Sequence, residues 1–341
     1  MSKEAFTAWW APLFFISLSD MKRFLRLAFL LAILPACSVK VDLDADILMG
    51  EETAVCWMEN LPDDTPLTRL SIPGAHDASS SSITAWTAWT RTQEMNVAEL
   101  WNCGVRAFDL RPALVDGELG VFHDKYTAHV SFPQVMQSLI LALGKHPLEC
   151  AVVIIRHEEE ADGNDPAWKS AMGSYLDSIR DHLADYSPGL SLGKLRGKIL
   201  VLSRSEYDGG PYGGYICGWS HSGQTVSQKG ASVVDSEGSA SPLWVQDYYH
   251  PDGADDKWAA VKGLLDETSG AALVINHASG YVGSLPDYRA NARNINSKVA
   301  EYISERQASA GIVMMDFAGV DRSGGVAVGG AKLVRALIDN N

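Results

Sequence analysis

The chain has 341 residues, of which 46% are hydrophobic and 21% are charged, as in ordinary soluble globular domains. This composition excludes a disordered chain, a collagen-like repeat and a polytopic membrane protein. The 28 Lys and Arg residues face 42 Asp and Glu residues, giving a net charge of −14, which argues against a nucleic-acid-binding protein because phosphate contacts need clustered cations.

The first 36 residues have the pattern of an export signal. An apolar run at residues 27–36 follows three basic residues and is too short for a comfortable bilayer span. The signal pattern is complete from Met21 onward, which favours Met21 as the true start. Leu34-Pro35-Ala36-Cys37 resembles a bacterial lipobox, in which the cysteine is lipidated and becomes the new N-terminus. We therefore expect an exported, membrane-anchored lipoprotein attached through Cys37.

The remainder reads as a tether followed by one domain. Residues 37–55 are acidic and weakly patterned, and residues 56–341 contain no linker or repeat that would divide them. Without residues 1–36, 24 basic side chains face 40 acidic ones, so the mature protein carries −16. Four further cysteines show no metal-binding spacing, and both disulfides and free thiols remain open for them. They are Cys56, Cys103, Cys150 and Cys217.

Short apolar runs alternate with helical patterns along this domain. Eight strands are predicted, at residues 70–73, 105–110, 119–122, 151–155, 198–203, 243–246, 271–275 and 311–315. Helices are predicted at residues 132–143, 167–183, 254–265, 288–306 and 331–338. Several strands are apolar on both faces, as parallel strands covered by helices are. The alternation predicts an α/β fold with a closed or nearly closed barrel.

Polar residues follow every predicted strand. In chain order they are His76-Asp77, Asp109 with Arg111, His123, Arg156, Arg204, Asp247, Asn276-His277 and Asp316. Active sites of such barrels lie at the carboxyl ends of the strands, so we expect these side chains to face one mouth.

Two histidines with carboxylate partners favour acid–base chemistry. An imidazole has an ordinary pKa near 6.5, so one histidine can accept a proton and the other can donate one. Arginine offers a planar fork to phosphate oxygens or neighbouring hydroxyl groups. This combination is typical of phosphodiester cleavage by an internal hydroxyl group. The sequence lacks HExxH and similar closely spaced ligand motifs that a metallohydrolase would need.

The same residues lie in motifs that resemble bacterial phosphatidylinositol-specific phospholipase C. The resemblance spans roughly residues 56–341 and implies a distorted (βα)8 barrel of the TIM type. Its motifs are Ser71-Ile72-Pro73-Gly74-Ala75-His76-Asp77, Gly104-Val105-Arg106-Ala107-Phe108-Asp109-Leu110-Arg111, Val121-Phe122-His123, Arg156-His157-Glu158, Val201-Leu202-Ser203-Arg204, Val245-Gln246-Asp247-Tyr248-Tyr249 and Met315-Asp316-Phe317.

The resemblance implies a role for each candidate residue. His76 would be the general base for the inositol 2-hydroxyl group, oriented by Asp316, and His123 would be the general acid for the diacylglycerol oxygen, supported by Asp77. Arg111 would contact the phosphate. The remaining residues would either contact the inositol ring or support the residues that contact it. Arg156, Arg204, Asp247 and Tyr249 would contact the ring, and Asp109 and Glu158 would lie behind the contacting residues.

The implied reaction yields diacylglycerol and inositol 1,2-cyclic phosphate without a cofactor. Calcium-requiring members of the superfamily have carboxylates and an asparagine near the position of Arg111, so its fixed charge predicts metal independence. Two alternatives remain: another phosphodiesterase on the same barrel, such as a glycerophosphodiesterase, and a non-catalytic ligand-binding lipoprotein. We expect a monomer whose membrane contacts are the lipid anchor and, as candidates, Trp86 and Trp89.

Overall fold

The computed structural model describes residues 52–162, 165–219 and 225–341. The predicted signal segment and Cys37 lie outside these ranges. Residues 52–55, which we assigned to the tether, form a short helix, and Val55 packs against the core of the domain. Among the described residues, no helix is both long and apolar enough to cross a bilayer.

Strands and helices alternate along most of the chain. The strands are β1 (Ser71–Ala75), β2 (Ala107–Leu110), β3 (Pro112–Val115), β4 (Glu118–His123), β5 (Tyr126–Ser131), β6 (Ala151–Ile155), β7 (Leu183–Ala184), β8 (Ile199–Ser203), β9 (Gly214–Cys217), β10 (Thr225–Val234), β11 (Ala240–Asp247), β12 (Leu273–His277), β13 (Gly311–Met315), β14 (Arg322–Ser323) and β15 (Val326–Ala327). The helices are α1 (Glu52–Val55), α2 (Thr87–Thr90), α3 (Val97–Asn102), α4 (Phe132–Lys145), α5 (Glu159–Asp162), α6 (Asp165–Ser178), α7 (Leu192–Leu195), α8 (Ala254–Glu267), α9 (Tyr288–Ser304) and α10 (Gly330–Asp339), with 3₁₀ turns at Leu67–Arg69, Ser80–Ser82 and Arg180–His182.

Nine of the strands in these ranges pair into a closed ring. Around the ring the order is β6, β2, β1, β13, β12, β11, β10, β9 and β8, and β8 pairs with β6 to complete it. Eight of the nine run parallel, and β10 runs antiparallel to both of its neighbours. The predicted α/β barrel in a single domain is confirmed, with β10 as an added antiparallel strand that distorts it.

The strands of the ring are buried on both faces, which explains their continuous apolar runs. In β6, Val152 and Ile154 belong to the cluster that fills the barrel, whereas Val153 and Ile155 pack with helices of the outer layer. Successive side chains of a strand point to opposite faces, so each strand contributes to both clusters.

One predicted barrel strand, at residues 119–122, is wrong in its placement. It lies in β4, which forms a separate antiparallel sheet with β3 and β5. Asp116 and Gly117 form the two-residue connection from β3 to β4, and both have positive φ, at 52° and 83°. An Asp-Gly turn of this kind joins adjacent antiparallel strands. The strand β4 therefore pairs with its neighbours in sequence, β3 and β5, and not with a strand of the barrel.

The four cysteines after Cys37 are not joined to one another. Cys103 and Cys150 have sulfur contacts of 3.5 Å with Met95 and Met58, and Cys217 is exposed. No disulfide is present among the described residues. Of the two possibilities that the sequence left open, the structure has free thiols.

A buried ion pair stabilises the base of the domain. Arg106 Nε lies 2.9 Å from Glu149 Oε2, the other carboxylate oxygen accepts the Met58 amide at 2.9 Å, and both side chains are at most 1% exposed. Removing one partner leaves the other charge unpaired, so Glu149→Ala is expected to lower the free energy of unfolding by about 3–5 kcal/mol. Urea denaturation measures this loss.

The matched control is Glu301→Ala, which breaks a pair with Lys332 whose partners are at least half exposed. Its loss is expected to be below about 1 kcal/mol, because water screens exposed pairs. Equal losses in the two variants would contradict the structural role of the Arg106–Glu149 pair.

Candidate active site

The structure brings His76 and Asp316 together through the pairing of two strands. Ala75, the last residue of β1, lies opposite Met315, the last residue of β13, so the next residue of each strand enters the same mouth. His76 Nδ1 donates to Asp316 Oδ1 at 2.9 Å. This bond fixes the tautomer of the imidazole and leaves Nε2 as its reactive nitrogen.

The second carboxylate oxygen of Asp316 is also held in place. Gly280 donates its backbone N–H to Asp316 Oδ2 at 3.0 Å. Gly280 has a φ of 139°, and a Cβ there would lie 2.5 Å from the carbonyl oxygen of Tyr249, so only glycine suits this position. Asp316 thus has a bonded partner on each oxygen.

Asp77 and Arg111 form the centre of the charged cluster. Arg111 Nε lies 2.7 Å from Asp77 Oδ1, and Arg111 Nη2 donates to His76 Nε2 at 3.0 Å and to Asp109 Oδ2 at 3.4 Å. Asp77 has a left-handed φ of 42°, a conformation that an aspartate tolerates better than most residues. The guanidinium therefore joins the loops that follow β1 and β2.

His123 reaches the same cluster from β4 of the separate sheet. Its Nδ1 donates to the carbonyl oxygen of Thr90 at 2.9 Å, and its Nε2 lies 3.6 Å from Asp77 Oδ2. The Nε2 atoms of both histidines therefore lie near the same oxygen, Asp77 Oδ2, at 3.4 Å from His76 and 3.6 Å from His123. Thr90 escaped sequence analysis because a backbone carbonyl carries no sequence signal.

His76, Asp77 and Asp109 have ligand atoms within 4.8 Å of one another, a spacing that suits a metal ion. The guanidinium of Arg111 already contacts all three groups. An ion in that position would face a fixed positive charge at hydrogen-bond distance. These residues therefore fit a built-in cation better than a bound metal.

Burial and neighbouring charges shift the protonation of the cluster. Burial lowers the pKa of His76, but the carboxylates of Asp77 and Asp316 outweigh it and raise the pKa to about 9. Burial favours neutral Asp77, yet Arg111 and the two histidines hold its pKa well below the usual range. Burial also raises the pKa of Glu158, to about 8, although Arg111 opposes this shift. The pKa values of His76 and Glu158 are thus raised, whereas the pKa of Asp77 is lowered, so these neighbouring groups titrate at different pH.

A second set of residues forms a polar wall of the same cavity. Arg204 stacks on Trp219 at 3.9 Å from the ring centre, and Trp219 Nε1 donates to Asp247 Oδ2 at 3.0 Å. Arg156 Nη2 lies 3.7 Å from Glu158 Oε1. Tyr249 lines the same wall. This arrangement offers charged hydrogen-bond partners and an aromatic face to a polyol.

The cluster and the wall enclose one cavity of about 420 Å³. His76, His123 and Arg111 line this cavity together with four residues of the polar wall, Arg156, Arg204, Asp247 and Tyr249. Asp109 and Glu158, expected behind the contacting residues, line the cavity as well, whereas Asp77 and Asp316 lie behind the histidines. Trp86 and Trp89 stack at the rim, 5.3 Å between ring centres and 61% and 40% exposed.

Two curated relatives of this chain are both named 1-phosphatidylinositol phosphodiesterase. A 1-phosphatidylinositol phosphodiesterase of Listeria monocytogenes is 26% identical over 277 residues, which cover 76% of this chain and 80% of that protein. A Staphylococcus aureus protein of that name is 27% identical over 304 residues, which cover 84% of this chain and 93% of the relative. The resemblance to these bacterial enzymes is confirmed. No protein-family model matches the chain.

Solved structures agree with the barrel. The phosphatidylinositol-specific phospholipase C of Listeria monocytogenes aligns with a TM-score of 0.66 at 22% identity, over 84% of this chain and 98% of that one. The Staphylococcus aureus phospholipase, in a structure from work on its membrane binding, aligns with a TM-score of 0.69 at 24% identity, over 84% and 97%. These structures share the fold of this chain.

The sequence pattern gave no role to several residues of the cavity besides Thr90, among them Trp219, Tyr288 and His277. Trp219 follows β9, whose glycine-rich sequence gave no strand signal. Tyr288 opens α9, and its ring centre lies 6.4 Å from that of His76 and 6.1 Å from that of His123. His277, expected at the mouth as a strand-end residue but given no role, lines the cavity and lies edge-on to His76 at 5.9 Å. Burial lowers the pKa of His277 to about 4, so it is a neutral group.

Proposed function

We propose that the protein cleaves phosphatidylinositol to diacylglycerol and inositol 1,2-cyclic phosphate without a metal ion. One observation carries this proposal: two histidines and an arginine surround the carboxylate of Asp77, and they line one cavity together with the polar wall. The relatives, named as phosphatidylinositol phosphodiesterases, support the substrate class.

The first step is attack of the inositol 2-hydroxyl oxygen on phosphorus. His76 Nε2 takes the proton of this hydroxyl group, while Asp316 stabilises the imidazolium that forms. Arg111 stabilises the added negative charge on the phosphate oxygens. The attacking group belongs to the substrate itself, so the required proximity is provided within one molecule.

The second proton transfer releases the lipid. His123 protonates the diacylglycerol oxygen as its bond to phosphorus breaks, with Nδ1 held by Thr90 and the imidazolium supported by Asp77. The phosphorus–oxygen bond formed to the ring replaces the bond that breaks, so no water is consumed in this step. The products are diacylglycerol and a five-membered cyclic phosphodiester.

Product analysis tests the reaction directly. Phosphorus NMR of phosphatidylinositol incubated with the domain from residue 50 onward is expected to show a cyclic phosphate, with equal rates in buffer and in excess EDTA. Inositol 1-phosphate without a cyclic species would contradict the mechanism. Activity confined to glycerophosphodiesters would favour the glycerophosphodiesterase alternative, and loss in EDTA would overturn metal independence.

We also propose that the protein acts at a membrane surface, held by a lipid on Cys37 and by the stacked pair of Trp86 and Trp89. Exposed indole rings beside a cavity for a lipid head group suit the membrane interface. Cys37→Ser is expected to release the protein from the membrane fraction of cells. In the released form, replacing both tryptophans by alanine should weaken co-sedimentation with phosphatidylinositol vesicles; unchanged sedimentation would contradict their contact.

A further inference from the structure

A buried lysine lies behind the polar wall of the cavity. Lys257, in the first turn of α8, is fully buried and forms no ion pair with any residue of the described ranges. Its Nζ donates to the carbonyl oxygen of Tyr248 at 2.8 Å and to Gln246 Oε1 at 3.4 Å. Both acceptors flank Asp247, which lines the cavity.

Gln246 extends this contact into a buried network. Its Oε1 also accepts the Tyr248 amide at 2.7 Å, and its Nε2 donates to Asn276 Oδ1 and to the carbonyl oxygen of His277, both at 2.8 Å. Asn276 Nδ2 in turn donates to the carbonyl oxygen of Val261 in α8 at 2.9 Å. The network therefore ties α8 to the ends of β11 and β12.

The helix pattern alone would place an apolar side chain at this position. Lys257 shares the core-facing side of α8 with Ala260, Val261 and Leu264, and an apolar side chain of similar length would continue that row. Burying an ammonium group without a carboxylate partner is costly. Burial lowers the pKa of Lys257 to about 7, with Asp247 and Asp316 opposing the shift.

We propose that Lys257 is a positioning residue for the ring-binding wall. Its two hydrogen bonds fix the backbone around Asp247 and Tyr249, and its charge favours the ionised form of Asp247 that accepts hydrogen bonds from ring hydroxyl groups. The inference rests on the proposed function, because it assigns this wall to an inositol ring. Lys257 itself does not line the cavity.

The test is Lys257→Met, which keeps the length of the side chain and removes its charge. We expect the inhibition constant of myo-inositol and the KM for phosphatidylinositol to rise about tenfold, with kcat changed less than about threefold. The melting temperature should stay the same or rise. Lys262→Met is the matched control, since Lys262 lies on the same helix, is 40% exposed and pairs with Asp266; all four quantities should remain unchanged.

The outcomes separate this inference from the proposed function. A wild-type protein that neither cleaves phosphatidylinositol nor is inhibited by myo-inositol would overturn both. Wild-type activity and inhibition, with unchanged constants in Lys257→Met, would overturn the role of Lys257 alone. A Lys257→Met variant that is unfolded or has a lower melting temperature would also overturn it, because the lysine would then serve stability.

Discussion

His76→Ala is expected to lower kcat on phosphatidylinositol by about 10²–10⁴-fold, the usual contribution of a positioned general base. Asp316 holds the imidazole through Nδ1, Arg111 contacts its Nε2, and the ring lines the cavity. Alanine therefore removes the proton acceptor and leaves the polar wall intact. Initial rates in detergent mixed micelles measure the loss. His123→Ala should have an effect of the same order on a lipid substrate.

Binding measurements distinguish a lost base from a damaged site. The inhibition constant of myo-inositol should change less than about threefold in His76→Ala, since the proposed ring contacts come from other residues. His182→Ala, which changes an exposed histidine outside the cavity, should have normal rates. A kcat near that of the wild type in His76→Ala would overturn the assigned role.

The pH profile gives a second readout of the same assignment. A general base must be deprotonated, and the pKa of His76 is raised to about 9, so kcat/KM should increase with pH through an ascending limb well above pH 6.5. Asp316 is one of the groups that raise this pKa. In Asp316→Asn the limb should therefore move to lower pH, while the maximal rate falls.

Arg111→Lys is expected to lower kcat by about 10²–10³-fold, as the loss of a preorganised charge stabiliser does elsewhere. The guanidinium contacts Asp77, His76 and Asp109 together from two of its nitrogens. A lysine ammonium is a single point charge and does not reproduce this fork. Lysine keeps the positive charge among the buried carboxylates, so the measured loss reports geometry rather than charge.

The control for this variant is Arg180→Lys, in an exposed pair with Asp185, which should leave the rates unchanged. Circular dichroism and the melting temperature should show that Arg111→Lys is folded. Rates within about threefold of the wild type in Arg111→Lys would contradict phosphate stabilisation by the guanidinium fork.

Sequence patterns predicted the parts of the fold whose signals are local and continuous. Residues 151–155 and 311–315 are apolar throughout, and both match observed strands. Residues 119–122 form a strand as predicted, but their partner is set by the Asp-Gly turn before them. The antiparallel strand β10 contains no long apolar run, so nothing in its sequence indicated a ninth member of the ring.

The site was predictable where a side chain follows a strand of the barrel. His76 and Asp316 follow strands that pair in register, so their contact follows from the topology. Thr90 contributes a carbonyl group, which every residue possesses, and no residue type indicates it. Lys257 carries a sequence signal: it precedes Ala260, Val261 and Leu264 by three, four and seven positions, the spacing of a buried helix face.

The two histidines follow or end strands that belong to two different sheets. His76 follows a barrel strand paired on both sides, whereas His123 ends a strand of the three-stranded sheet and donates to Thr90 in α2, the short helix that carries Trp89 and follows Trp86. Under the proposed assignment, bond formation and lipid release depend on separate structural units. Substitutions in the three-stranded sheet of β3, β4 and β5 are thus expected to affect lipid release more than attack by the ring hydroxyl group.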